Sequence, residues 1–313
     1  ASAAAAAESA NFYLLKPGHW IKLDGSSDAD NNRYYQVATK TSHAEITVLP
    51  VPNSTVAAGS DTITINGTYL RNGVTKYSYS FIREHGRPTG KQYFTFTGCV
   101  CGEFQLTLDV DSLLTGHFGF LGKEVYLTQA STYADNAAIA SSGRIINTTA
   151  NIAELREGGD LLGDCYVNNI SINVNNNLRG RKAIANLRSC GIGAGGCLVT
   201  GVITAYFTNN DFYDKHVSGT ETSLSFQAVD NDDNVYLFDL PRIKLSKNSI
   251  NVGGSNQSVM QNIEFTALID HDFEYTIQIS KFNSNGPGPV STVRLTTEDG
   301  DYLTTEDGDR LII

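Results

Sequence analysis

The chain has 313 residues, 41% of them hydrophobic and 18% charged, with 33 acids against 23 bases and a net charge of -10. That length admits one large domain or two of ordinary size, with enough apolar residues for a real core. The acidic balance argues against a partner held through its phosphates, and no apolar run approaches the ~20 residues that span a membrane.

The opening ASAAAAAESANFYLL is alanine-rich but lacks a basic region and a long apolar core. It is expected to be a mature terminus and not a secretion signal. Residues 1–41 are expected to form an N-terminal arm, with little core of their own. Alternating runs with β-branched and aromatic residues then predict strands at 44–51, 61–70, 76–84, 92–98 and 103–110. Asn66-Gly67, Asn72-Gly73 and HGRPTG at 85–90 supply the turns between them. Further strands are predicted at 168–174, 198–207, 221–229, 234–245, 263–269 and 274–280. Helices are expected in only a few places. NIAELREGG (151–159) and RGRKAIANLRSCG (179–191) each carry apolar spacing and a glycine stop. STYADNAAIASS (131–142) reads as a short helix or a link.

The two halves look related. SYSFIRE (78–84) aligns with SLSFQAV (223–229) at an offset of 145, and QYFTF (92–96) with VYLFD (235–239) at 143. Phe118-Gly119-Phe120 meets Ile263-Glu264-Phe265 at 145. Near-constant offsets predict a duplicated β-unit. The expected plan is an arm over 1–41, a first unit over 42–124 and a linker with a short helix over 125–165. A second unit follows over 166–282 and an acidic arm over 283–313. That arm holds TTEDGDYL (296–303) and TTEDGDRL (304–311). Each copy is a Thr-Thr pair, an Asp-Gly turn and an apolar Leu. Leu303, Leu311, Ile312 and Ile313 are sticky ends suited to a neighbour, while the acids leave calcium and a solvated tail as other readings.

Catalytic chemistry is hard to find. The six histidines form no H-E-x-x-H pair, and there is no G-x-S-x-G or phosphate-binding loop. GIGAGG (191–196) follows a helix-like stretch and not a strand, which argues against dinucleotide binding. The paired acids sit at strand ends, where Asp is a turn residue, and Trp20 is the sole tryptophan. Cys99, Cys101, Cys165, Cys190 and Cys197 lack the paired spacing and nearby His of a zinc site, so free thiols are expected. No catalytic, cofactor or metal residue is assigned.

The stretch FTGCVCGEFQLTLDVDSLLTGHFGFLGKE (96–124) resembles the tail tube proteins of long-tailed bacteriophages. The residues carrying the resemblance are Phe96, Gly98, Thr115, Gly116, Phe118, Phe120, Gly122 and Lys123. In the second half VTGVITAYF (199–207), with Thr200 and Gly201, has the same look, as do SLSFQAVDNDDNVYLFDLP (223–241) and NIEFTALID (262–270). The resemblance implies a mainly β fold, a β-sandwich or split barrel with a flanking helix, which the internal offsets would duplicate in tandem. It implies a structural protein of the virion tail, assembled in the host cytoplasm, whose rings stack into a hollow tube. The implied partners are copies of itself, other tail proteins at both tube ends, and DNA passing non-specifically through the bore. These motif residues are then expected to pack subunits together, and the C-terminal apolar residues to bridge rings. Two units per chain favour a trimeric, pseudo-hexameric ring, with a plain hexamer as the alternative. An acidic balance suits a lining that repels phosphate. A surface adhesin or pilin-like subunit, and another tail part such as a terminator, are the competing readings.

Overall fold

The computed structural model describes residues 2–4, 15–24, 28, 31–42, 45–52, 62–64, 67–87, 90–128, 145–162, 167–184, 186 and 188–283. The TTEDGD repeat, with Leu303, Leu311, Ile312 and Ile313, lies outside them, as do Cys165 and residues 131–142.

Five strands near the N-terminus build one antiparallel sheet. They are β1 (Ser2–Ala4), β2 (Trp20–Asp24), β3 (Tyr34–Ser42), β4 (Glu45–Leu49) and β5 (Thr62–Thr64), in the order β1-β4-β3-β2-β5. Alternation along β2, β3 and β4 turns Ile21, Leu23, Tyr35, Val37, Ile46 and Val48 into a small separate core. The boundary expected at residue 41 therefore falls within β3.

The second sheet starts with β6 (Gly67–Arg71), β7 (Tyr79–Arg87), β8 (Gly90–Asp109), β9 (Thr115–Leu121) and β10 (Glu124–Thr128). After α1 (Thr148–Asn151) come β11 (Ile152–Glu157), β12 (Asp160–Leu161) and β13 (Val167–Asn175). A small side hairpin of β14 (Arg179–Arg181) and β15 (Gly191–Gly193) leads to β16 (Leu198–Tyr206) and α2 (Asp211–Ser218). The chain closes with β17 (Glu221–Val229), β18 (Val235–Asn251), β19 (Met260–Ala267) and β20 (Gln278–Phe282). The sheet has 13 strands and runs β10-β8-β13-β16-β19-β18-β17-β11-β12, with β7 and β9 also on β8, and β20 joining β18 to β6. All of its pairings are antiparallel. The fold is mainly β, a sandwich with a flanking helix and, among the described residues, no closed barrel.

The sandwich forms because β8 and β18 are long enough to serve two layers. The first part of β18 pairs with β17 and β20, and the last part with β19. Between the layers, Ile170, Ile172, Ile203 and Phe265 face Leu224, Phe226, Phe238 and Leu240 in one apolar cluster. Each such side chain contributes about 1.5–3 kcal/mol of burial. Helix α2 closes the cluster with Phe212, its one buried residue.

Several expectations are corrected. NIAELREGG is not a helix. The Ile152 and Leu155 side chains pack on the core from strand β11, and Gly158 and Gly159, at φ 64° and 89°, turn the chain into β12. The 179–191 segment holds β14 and a connection whose described residues are not helical. The runs at 92–98 and 103–110 are one strand, β8, bent at Gly98. The run at 61–70 splits between β5 and β6, which join different sheets. Helix α2 is unexpected, although Asn210, two acids in its first turn and Gly219 at φ 67° mark its ends.

The two sheets meet at Trp20, Val235, Leu237 and Phe282. Beside them lies a buried polar knot. Gln36 Nε2 donates to Asp239 Oδ2 at 2.7 Å, and the Tyr275 hydroxyl donates to the same oxygen at 2.5 Å. Gln278 Nε2 donates to the Gly18 carbonyl at 3.1 Å. His19 sits 2.8 Å from the Arg71 guanidinium. These contacts fix the N-terminal sheet to β18 and β20.

Two four-stranded meanders, β7-β8-β9-β10 and β17-β18-β19-β20, follow the same path. β7 covers the first part of β8 as β17 covers the first part of β18. β9 and β19 cover the second parts, and β10 and β20 the other edge of the first parts. The irregularities coincide. Register skips between the pairs Tyr79↔Cys99 and Phe81↔Phe96, and likewise between Thr222↔Ile243 and Leu224↔Leu240. A second skip separates Cys101↔Phe120 from Glu103↔Gly119, and another separates Leu245↔Phe265 from Lys247↔Glu264. Equivalent residues thus lie 143 apart for β7 and β17 (Phe81 to Leu224) and 144 apart for β8 and β18 (Phe96 to Leu240). They lie 145 apart for β9 and β19 (Phe120 to Phe265). The offset taken from SYSFIRE differs from this by two residues, and that from Phe118-Gly119-Phe120 coincides with it.

Candidate functional surface

Six consecutive strands, β9, the end of β8, β13, β16, β19 and the end of β18, form an unbroken wall. Period-two alternation gives it two faces. One is the core face just described. The other is lined with amides and hydroxyls in register. His117, Gln105, Asn173, Thr200 and Thr266 make one row, and Thr115, Thr107, Ser171, Val202, Glu264 and Lys247 the next. Asp109, Asn169, Thr204, Asn262 and Ser249 make a third.

Side chains along the rows bond to one another. Thr204 Oγ1 donates to Asn262 Oδ1 at 3.0 Å, and Lys247 Nζ pairs with Glu264 at 2.9 Å. With Glu264 offset by Lys247, Glu103 and Asp109 are the acids left on this face, against Lys244 in register with Thr266. Most of the excess negative charge of the chain lies elsewhere, so the face is chiefly neutral and polar.

The wall has two open ends. β9 pairs with β8 on one edge, and the last residues of β18, from Lys247 to Asn251, pair with β19 on one edge. Among the described residues neither has a strand on its other edge. Each pairing in the wall is antiparallel, so with six strands the two outer strands run in opposite directions.

The motif residues separate into distinct places. Phe96, Phe118 and Phe120 gather with Phe81 on the core-side face of the first meander, where the Phe81 and Phe120 rings meet at 4.7 Å. Thr115 lies on the polar face. Gly116 on β9 passes close to β8, where a Cβ would meet the Gln105 carbonyl at 3.4 Å. Gly98 has φ 60°, and the stem of Lys123 covers it. The Lys123 amide donates to the Thr97 carbonyl at 3.0 Å. Gly122, next to the Cys99 sulfur, ends β9. Thr200 and Gly201 lie on β16, separated from β9 by β8 and β13. Thr200 faces the polar side, while a Cβ at Gly201 would overlap Phe265 and the Ser171 carbonyl at 2.3 and 2.5 Å. The polar rows were not singled out in the sequence, although the Asn and Ser residues alternating in NNISINVN are their visible trace.

A shallow groove of about 410 Å³ opens beside Phe96, lined by Arg83, His85, Phe94, Val125 and Leu127. It belongs to the three-stranded part of the first meander and holds no constellation for chemistry. Among the described residues no group of three His, Cys, Asp or Glu side chains is placed to hold a metal. Cys99, Cys101, Cys190 and Cys197 are free thiols. No described helix is long and apolar enough to cross a membrane.

No curated protein matches the chain. The family model for the phage tail tube protein matches residues 9–267. That range contains the whole six-strand wall and both of its open edges. With a structural family matched over most of its length, on a β-rich sandwich, the chain belongs to the phage tail tube proteins and is a structural component of the virion tail.

Proposed function

We propose that copies of this chain join through the open ends of the wall into closed rings, and that the rings stack into a tube through which DNA leaves on ejection. The observation that carries this is the six-strand wall, polar on one face, apolar on the other and open at both ends with opposed strand directions. The end of β18 in one copy meets β9 of the next in the antiparallel sense already used throughout the wall. Closure removes two exposed edges that would otherwise template aggregation.

Three copies are favoured. At a strand spacing of about 4.8 Å and a tilt of about 40°, three six-strand walls close at a diameter of roughly 36 Å. Side chains then leave a bore of roughly 25 Å, enough for a duplex. Six copies would double the wall to roughly 72 Å. The shared path of the two meanders supports a duplicated unit, and so a ring of three chains with sixfold character. The largely neutral amide and hydroxyl rows offer phosphates little to hold, with Glu103 and Asp109 outweighing Lys244 by one charge. Ring-on-ring stacking is a head-to-tail contact and propagates without closing. The C-terminal Leu303, Leu311, Ile312 and Ile313 are proposed as contacts between rings, and other tail proteins as caps at the tube ends.

Negative-stain electron microscopy of the concentrated protein tests this reading. Hollow tubes or rings whose end-on averages and native mass give three chains are expected. A monomer at every concentration, also in the presence of tail-initiating proteins, would overturn it.

A further inference from the structure

The two meanders share a path but not a burial state. In the second, Leu224, Leu240, Ile263, Phe265 and Ile277 lie in the core and are at most 6% exposed. Their equivalents in the first are Phe81, Phe96, Phe118, Phe120 and Val125, which are 37–57% exposed. Ile277 corresponds to Val125 because Ile279 pairs with Phe238 as Leu127 pairs with Phe94. All five positions are apolar in both meanders. Among the described residues the first meander therefore presents a core-type face that lacks a cover.

The cover is visible in the second meander. β16 continues the wall beyond β19, and α2 inserts Phe212 over the gap. Among the described residues the first meander has nothing at the equivalent place, which is the open edge of β9. The two layers already lean together there, with Phe81 on Phe120 at 4.7 Å, and within the wall Phe104 lies against its strand neighbour Phe118 at 4.8 Å. A contiguous aromatic surface of this kind marks a protein-binding site.

We infer that the first meander is an incomplete sandwich whose core is finished by a second copy of this chain. The end of β18 adds to the β9 edge as an extra strand and brings its own exposed core-side residue, Ile250, over Phe118 and Phe120. Several features commit the face to a second copy. The β9 edge continues the wall, and the opposite end of that wall is an equally open strand of the required direction. Ile250 is 42% exposed on the core-side face of that strand, where Asn248 pairs with Ile263 and Ile250 with Gln261. Main-chain bonds fix the register of the joint, and burial of the aromatic face supplies most of its affinity. This rests on the ring reading above and adds which face drives the joint.

The test compares the full-length protein with Phe118→Asp/Phe120→Asp and with Ile250→Asp. Wild-type rings are scored by light scattering and electron microscopy. Monomer integrity is scored by far-ultraviolet dichroism and thermal unfolding, and the open face by binding of an apolar dye. Both variants are expected to leave the monomer folded with a cooperative, only modestly lowered unfolding transition, and to raise the concentration needed for rings by on the order of 100-fold or more. Dye binding by the wild-type monomer is expected to disappear on ring formation. Amide exchange should slow at 115–121 and 247–251 together. Rings forming at the wild-type concentration in the Phe118→Asp/Phe120→Asp variant would overturn the inference while leaving the ring reading intact. Unfolding of that variant's monomer would also overturn it, because the face would then be covered by its own chain. Wild-type protein that never forms rings would instead remove the ring reading itself.

Discussion

The meanders β7–β10 and β17–β20 have matching register skips and opposite surroundings. In both, one long strand changes partners at a skip and thereby serves two layers. The path is thus set by main-chain irregularities and strand length, not by which side chains happen to be buried. Burial is decided by the neighbours. The second meander carries β16 and α2 on one side and the N-terminal sheet on the other, while the first carries β13 alone on its inner edge. One design yields a stable core in one place and an apolar surface in another.

The largest expected effect breaks this pairing at equivalent positions. Phe265→Ala should destabilise the chain by about 3–5 kcal/mol, because it empties a site where the surrounding core cannot collapse. Phe120→Ala, at the equivalent position, should cost well under half as much in the monomer, since its ring is already partly in water. Chemical denaturation of both variants measures the difference. Equal costs would mean that the first face is covered within the chain.

Next in size is Lys215→Met. Lys215 Nζ bonds both oxygens of Glu157, at 2.8 and 2.6 Å, and Thr222 Oγ1 donates to the same carboxylate at 2.5 Å. Glu157 is buried and Lys215 about one third exposed. Removing the ammonium leaves a buried carboxylate half-satisfied, at a cost of about 2–3 kcal/mol. Adding Glu157→Gln should recover most of that loss, and thermal unfolding of the pair reads it. Among the described residues the first meander carries no helix, so its exchange rates should not change.

The seam on β18 sharpens the comparison through pH. Asp239 occupies the place of Thr95 in the first meander (239 - 144), so the effect belongs to the second alone. Burial pushes the Asp239 carboxyl up to about 6, against the pull of hydrogen bonds from Tyr275 and Gln36, with Asp270 adding a small push. The Trp20 indole N–H also faces it without completing a hydrogen bond. A raised carboxyl stabilises the fold in its protonated form, and this contribution is lost as pH rises through about 6. Burial lowers His19 to about 4, helped by Arg71, Lys16 and Lys40. Its neutral form stabilises the fold above its ordinary 6.5, and that contribution is lost as pH falls to about 4. Each group is worth up to roughly 3 kcal/mol, with opposite sign over the same window. The unfolding midpoint is therefore expected to be nearly flat from pH 4.5 to 6. Asp239→Asn should make it fall on acidification, and His19→Gln should make it rise. Dichroism against pH reads the slopes, and Trp20 reports the seam itself.

The strands were legible because alternation is a local signal. IEFTALI and NNISINV announce their buried faces residue by residue, and the motif glycines mark close approaches. Gly201 shows why, since Phe265 fills the place of its missing side chain. What the local pattern hid was length and partnership. Glycines 158 and 159 suit a helix end as well as a strand turn, and only the packing of Leu155 against the core separates the two. Helix α2 has a single buried residue, too few to show periodicity. The polar wall escaped notice because it is assembled across six strands, from residues that look like ordinary solvent-facing alternation in each.

The smallest effect concerns how the shared skip is made. In the first meander Gly98 takes φ 60° at the skip, whereas Arg242, its equivalent in β18, is not left-handed and follows Pro241. The same displacement of register is reached once by a left-handed glycine and once without one. Gly98→Ala should cost about 1–2 kcal/mol from the left-handed backbone. A steric part adds to this, because the new Cβ would meet Lys123 Cδ at 2.8 Å. The two parts separate in a double-mutant cycle. Lys123→Ala removes the contact and leaves the backbone strain, so Gly98→Ala/Lys123→Ala should recover only the steric share. Full recovery would mean that the β8 bend tolerates an ordinary residue, as β18 does at Arg242, and that glycine is there for Lys123. No recovery would place the whole cost in the backbone, and the two meanders would then differ in how their shared bend is made as well as in what surrounds it.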